Sequence, residues 1–163
     1  MKVYSTEIAL QEVPDEISLA LTISGCPYAC IDCHSEDTWD PNIGIPLTST
    51  YIDELLKDNK HITCILFMGG DWDIPTLYPI VEHIKNTYCN LKIALYSGKN
   101  SLALLRYKPE RFASNKDFIS FLDYIKIGMY INTKGGLESK TTNQRMYKQI
   151  NNQLIDVTST FHK

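Results

Sequence analysis

The chain has 163 residues, enough for one domain whose core hides roughly two-thirds of the unfolded chain's surface. Apolar residues make up 44% and charged residues 21%, with a net charge of −3, which excludes a disordered chain, a collagen-like chain and a coiled coil. Lysines and arginines do not cluster as a nucleic-acid surface requires, the longest apolar stretch (around Ile17–Ile23) is far short of the ~20 residues that span a bilayer, and the polar start of the chain lacks the apolar centre of a signal peptide. The expectation is a single domain over residues 1–163, cytoplasmic, with neither nucleic acid nor membrane as partner.

Along the chain, Met1–Glu16 shows no clear period. Ile17–Ser24 reads as a strand and runs into Gly25 and a group of cysteines. Thr50–Asp58 reads as a helix, with Thr50 as cap and Asp53 three residues on. Thr63–Met68 is almost continuously apolar, as in a strand covered on both faces, and ends in Gly69-Gly70-Asp71. Over Asp73–Tyr88 the residues Ile74, Leu77, Val81, Ile84 and Tyr88 recur at helical spacing. Lys92–Tyr96 is a third strand, followed by Ser97-Gly98. Asn115–Leu122 reads as a shorter helix. Tyr124–Gly128 is a fourth strand, leading to Met129 and Tyr130. Gly135-Gly136 opens a polar stretch to Asn143-Gln144-Arg145, and Leu154–Val157 adds a late strand. Strands alternating with helices imply βαβ units and a mainly parallel sheet. Sites in such sheets lie at the C-terminal ends of the strands, so the four loops are expected to meet at one edge.

The five cysteines are Cys26, Cys30, Cys33, Cys64 and Cys89, an odd number in a chain with no export signal, which does not suit a disulfide scaffold. Cys26, Cys30 and Cys33 form a Cys-x3-Cys-x2-Cys array directly after a strand. Thiolates so close in sequence can wrap one metal centre. A 4Fe–4S cluster held by three cysteines keeps one iron open for substrate. Zinc is the alternative, and its closed tetrahedron needs a fourth ligand from His34, Cys64 or Cys89. Cys64 falls inside a strand and Cys89 past a helix end, away from the expected site edge.

The other loops carry polar groups suited to a ligand. Gly69 and Gly70 let backbone approach a ligand closely, and the Asp71 carboxylate can accept from an ammonium group; a plain turn with Asp73 capping the next helix is the alternative. Ser97 can donate to a ribose or carboxylate, or simply make a turn. Lys126, between Ile125 and Ile127, faces either the site mouth or water. The amides of Asn143 and Gln144 can bind cofactor or pin the C-terminal segment over the site. His34 suits a cofactor-edge position, and Trp39 and Trp72 suit packing of the loops.

Four stretches carry a resemblance over most of the chain. They are Ser24-Gly25-Cys26-Pro27-Tyr28-Ala29-Cys30-Ile31-Asp32-Cys33-His34, Thr38-Trp39, Gly69-Gly70-Asp71 and Thr142-Asn143-Gln144-Arg145. The chain resembles the radical S-adenosylmethionine superfamily and, within it, the activating proteins of anaerobic (class III) ribonucleoside-triphosphate reductase. Val13-Pro14-Asp15-Glu16 stands where those proteins often carry a Gly-Pro-Gly stretch. Asp32 stands where the superfamily often has an aromatic residue near adenine, which leaves adenine to Tyr28, His34 or backbone.

The resemblance implies a partial (β/α) barrel with a mainly parallel sheet, of the radical-SAM type. It implies a 4Fe–4S cluster on Cys26, Cys30 and Cys33, and S-adenosylmethionine bound among Asp32, Cys33, His34, Gly69, Gly70, Asp71, Ser97, Lys126 and Asn143. The implied activity is reductive cleavage of S-adenosylmethionine to methionine and an adenosyl radical that takes hydrogen from a glycine of the reductase. The implied partners are that reductase and a low-potential electron donor such as flavodoxin or ferredoxin. Two other readings stand beside it: a small radical enzyme acting on a free metabolite, and a non-catalytic zinc-binding module.

Overall fold

The computed structural model describes residues 1–110 and 116–162. Its framework is one mixed sheet of eight strands: β1 (Lys2–Ala9), β2 (Ser18–Ile23), β3 (Ile45–Pro46), β4 (Cys64–Met68), β5 (Lys92–Tyr96), β6 (Tyr124–Ile127), β7 (Arg145–Ile150) and β8 (Gln153–Asp156). Their order is β3-β1-β2-β4-β5-β6-β7-β8. The middle four, β2, β4, β5 and β6, are mutually parallel. The outer strands join antiparallel on both sides.

The four central strands occupy the stretches expected from the sequence, and β8 is the late strand. β1 and β7 lie where no strand was expected. Tyr4–Ile8 of β1 are exposed on both faces of the strand, so no burial alternation marks them. β7 starts inside the stretch read as a polar loop.

Two helices cover one face: α1 (Ser49–Asp58), between β3 and β4, and α2 (Ile74–Thr87), between β4 and β5. The cap of α1 is Thr48, whose side chain accepts from the Tyr51 amide, not Thr50. Asp53 takes no part in that cap; its carboxylate instead accepts from His83 and Tyr88 and ties α1 to α2. Asp73 caps α2, accepting from the Thr76 amide, as in the plain-turn alternative for that loop. Between β5 and β6, Phe118–Phe121 form a short 3-10 turn where a helix over Asn115–Leu122 was expected; Asn115 itself lies outside the described residues. Asp117 caps that turn, and the turn packs Phe118 and Phe121 against Tyr78 of α2.

Strand alternation divides the core. Leu19, Leu21, Ile23, Ile65, Phe67, Ile93, Leu95, Ile125 and Ile127 join the helices in the larger apolar cluster. Ala20, Leu66, Ala94, Tyr124 and Met146 face the other way, where no helix covers the sheet. Val13 and Leu137 from loops close that second cluster, with Val157 and Phe161 of the C-terminal segment packed against it. The next row toward the strand ends opens into a cavity.

Candidate functional site

Thr22, Met68, Tyr96 and Lys126 stand side by side in one row across β2, β4, β5 and β6. Met68, Tyr96 and Lys126 of this row form part of the wall of a cavity of about 760 Å³. Cys33, His34, Tyr130, Gly135, Gly136, Glu138, Gln144, Glu12, Phe161 and His162 complete much of its lining. It is therefore closed by four segments: the cysteine loop, the loops on either side of Gly135, the β1–β2 connection and the C-terminal segment.

The cysteine loop is drawn shut at its base. The Gly25 amide donates to the Thr38 carbonyl at 2.7 Å, Thr38 is buried, and Ser24 donates to the Ile43 carbonyl at 2.8 Å. Ala29 and Asp32 take positive φ (44° and 58°), which curls the chain between the cysteines. Cys26, Cys30 and Cys33 are all half-buried free thiols. Burial pushes the Cys26 thiol up, and the nearby Asp71, Cys30 and Cys33 push the same way. The Ser35 amide donates to Cys33 Sγ at 3.4 Å. Cys64 is buried at the opposite end of β4, and Cys89 is exposed past α2, where it lines a separate groove of about 510 Å³ between the helix ends. Neither stands with the other three. Among the described residues, no three His, Cys, Asp or Glu side chains converge as one metal ion would require.

Gly69 and Gly70 both have positive φ (99° and 88°), which turns the chain sharply off β4 and sends Asp71 back under the cysteine loop. Asp71 is completely buried. Its Oδ2 accepts from the Tyr28 hydroxyl at 2.5 Å and from the Ser97 hydroxyl at 2.7 Å. Ser97 Oγ in turn accepts from the Lys99 amide. One carboxylate thus joins the loops after β2, β4 and β5. Its other oxygen, Oδ1, is buried with no partner. Burial, then the Asp71 carboxylate, pushes the Tyr28 hydroxyl far above its ordinary pKa, so it stays protonated as a donor.

The loop after β6 joins from the other side. The Ser97 amide donates to the Lys126 carbonyl and the Gly128 amide to the Lys99 carbonyl, both at 2.8 Å. Asn132 donates to Asp32 at 2.8 Å, and the Tyr130 ring stands edge-on to His34 with centroids 5.5 Å apart. Asn143 donates to the Met129 carbonyl and Gln144 to the Gly128 carbonyl, so these amides pin the β6 loop. The ammonium of Lys126 sits 5.3 Å over the Tyr96 ring. Burial pulls the pKa of Lys126 down to about 8, against the opposing pull of Cys30, Glu12 and Asp71.

The residues singled out in the sequence thus divide. Cys33, His34 and Lys126 face the cavity; Gly69, Gly70, Asp71 and Ser97 build the carboxylate junction beside it. Asp32 is exposed and bonded to Asn132, and Asn143 braces a loop while its Oδ1 stays buried and unpartnered. Trp72 packs loops as expected, edge-on to Tyr28 and over Gly69. Sequence reasoning missed Met68, Tyr96, Glu12, Glu138, Phe161 and His162. The alternation Cys64-Leu66-Met68 and Ala94-Tyr96 would have placed the first two on the Lys126 face; no local signal marks the others.

The chain matches the 4Fe-4S single cluster domain family over residues 17–156. It belongs to that family, and so is an iron–sulfur protein. No curated protein and no solved structure matches the chain. No helix among the described residues is long and apolar enough to cross a membrane.

Proposed function

We propose that the protein is an activating enzyme that reductively cleaves S-adenosylmethionine and generates a glycyl radical on an anaerobic ribonucleoside-triphosphate reductase. The observation that carries this reading is Asp71 Oδ1: a fully buried carboxylate oxygen, left without a partner beside three half-buried cysteines. A buried acceptor of this kind calls for a donor from a ligand, and a primary ammonium meets a carboxylate in a charge-assisted bond. S-adenosylmethionine offers an ammonium and suits an iron–sulfur site with one free position.

The donor set fits the family's cluster. Cys26, Cys30 and Cys33 would hold it, and neither Cys64 nor Cys89 is placed to close a fourth position. Bound there, a 4Fe–4S cluster supplies one electron and an iron open to substrate. The chain's own residues do the rest. Asp71 accepts from the amino group, and the turn that Gly69 and Gly70 make at positive φ places it there. Lys126 and His34 offer polar contacts at the cavity wall, and Met68, Tyr96 and Phe161 line it with apolar surface that limits water around a reactive species. In this reading the four parallel strands and their uncovered face are a partial (β/α) barrel. The reductase presents its glycine at the cavity mouth, and flavodoxin or ferredoxin is the reductant.

The test is electron paramagnetic resonance after mixing anaerobically reconstituted, reduced protein with S-adenosylmethionine and the cognate reductase. A glycine-centred doublet, lost when the reductase glycine becomes alanine, is the expected result. Cleavage of S-adenosylmethionine with no protein radical would favour an enzyme acting on a free metabolite. Stoichiometric zinc without iron would remove the proposal.

A further inference from the structure

We propose that Tyr28 is a positioning residue whose hydroxyl, together with that of Ser97, holds one oxygen of Asp71 and so commits the other to an α-ammonium group of the ligand. This deepens the reading above and rests on it.

The contact is built from several directions. Tyr28 lies between two of the cysteines, and its ring passes so close to Gly98 that a Cβ there would stand 2.6 Å from ring carbons. On another side the ring meets Trp72 edge-on, with centroids 6.4 Å apart. Trp72 itself needs Gly69, where a Cβ would stand 2.9 Å from the indole. Two glycines thus make space for two aromatic rings, and the result is a phenolic hydroxyl aimed at Asp71 Oδ2. Ring packing alone would be served by phenylalanine; the tyrosine adds a donor.

That donor has a geometric consequence. A carboxylate free to rotate can offer either oxygen. With Tyr28 and Ser97 both on Oδ2, rotation is blocked and Oδ1 is the oxygen left for a ligand. Because Tyr28 belongs to the cysteine loop, a single hydrogen bond also ties the arrangement of that loop to the direction of the amino-group acceptor.

The experiment uses the anaerobically reconstituted holoprotein and calorimetric titration with two probes. One is S-adenosylmethionine; the other is its deaminated analogue, which keeps the carboxylate, sulfonium and adenosine but has no ammonium. Tyr28→Phe is expected to keep its iron content, to bind S-adenosylmethionine about tenfold more weakly, and to bind the analogue as wild type does. Ser97→Ala, remote in sequence from the cysteines, is expected to show the same selective loss. It carries the test if Tyr28→Phe loses iron. Unchanged affinity for S-adenosylmethionine, or equal losses for both probes, would overturn the positioning role while leaving the reading of the site intact. A wild-type holoprotein that binds neither probe would overturn both.

Discussion

Removing the carboxylate of Glu16 is expected to weaken the whole sheet from the end opposite the site. Glu16 stands just before β2 with its side chain only 3% exposed. Its Oε1 accepts from the Lys92 ammonium and from the Tyr124 hydroxyl, the latter at 3.0 Å, and Thr63 also bonds to the carboxylate. Thr63 Oγ1 accepts from the Ile17 amide at 2.9 Å. Ile17, Thr63, Lys92 and Tyr124 sit at, or one residue before, the starts of β2, β4, β5 and β6. Breaking a buried ionic contact costs about 3–5 kcal/mol. The Lys92 side chain is 43% exposed, so its share is closer to the ~0–1 kcal/mol of a surface pair. Glu16→Ala is then expected to cost about 2–4 kcal/mol, or roughly 5–15 °C in Tm for a chain of this size; Glu16→Gln, which keeps an acceptor, about half. Burial raises the pKa of Glu16, but the bonds from Lys92, Thr63 and Tyr124 outweigh it and hold the group below its ordinary value. The contribution is therefore fully present above the unfolded pKa of about 4.3 and lost as pH falls through the lower folded value. Urea unfolding followed by circular dichroism should show a wild-type to Glu16→Gln gap that is constant from neutral pH to about 5.5 and narrows in acid. A Glu16→Ala cost below about 1 kcal/mol at pH 7, or a gap that does not narrow in acid, would refute the reasoning.

Three further outcomes are expected. Alanine at Cys26, Cys30 or Cys33 should abolish stable cluster binding, measured as iron and sulfide per chain, while alanine at Cys64 or Cys89 should leave it intact. Iodoacetamide on the folded protein at about pH 8 should label the exposed Cys89 and spare Cys64, whose thiol burial pushes up to about 12; rapid labelling of Cys64 would show that β4 opens readily. Gly98→Ala should displace the Tyr28 ring and weaken S-adenosylmethionine binding in the same direction as Tyr28→Phe, with iron retained; unchanged affinity would show that the ring has room to spare.

The parallel centre of the sheet was legible because β2, β4, β5 and β6 are buried on both faces and read as apolar runs. β1 was not, because Tyr4–Ile8 are exposed on both faces and only backbone pairing to β2 makes them a strand. The β7–β8 hairpin had a local signal in Asn151-Asn152, both at positive φ (50° and 63°), the backbone form that tight hairpin turns require. Thr48 and Thr50 carry the same side chain two residues apart, so the sequence alone does not single out Thr48 as the α1 cap. At the site, chemistry-bearing residues in loops directly after strands could be read, since topology alone gathers them. The junction of Tyr28, Asp71 and Ser97 could not be, because it joins positions 43 and 26 residues apart in the chain. Nor could Phe161 and His162, which reach the cavity only through the late antiparallel return of the chain.

Two buried carboxylates at opposite ends of the same four strands show how structure separates framework from site. Glu16 takes donors from Lys92 and Tyr124 on one oxygen and is also bonded by Thr63, all from neighbouring strand starts. Asp71 is equally hidden, yet the fold satisfies only one of its oxygens. An unmet buried acceptor costs about 1–3 kcal/mol, which a donor from a bound ligand would recover. The pattern extends beyond Asp71. Among the described residues, the buried side-chain atoms without partners are Ser18 Oγ, Trp39 Nε1, Asp71 Oδ1, Asn143 Oδ1 and His162 Nε2. All but Ser18 belong to the cysteine loop, the loops at the strand ends or the C-terminal segment over the cavity. Unsatisfied hydrogen bonding is thus concentrated at the edge where the cysteines are, while the opposite edge is tied off by Glu16. Substitutions at the Glu16 end should act on stability, and those at the Asp71 end on ligand affinity.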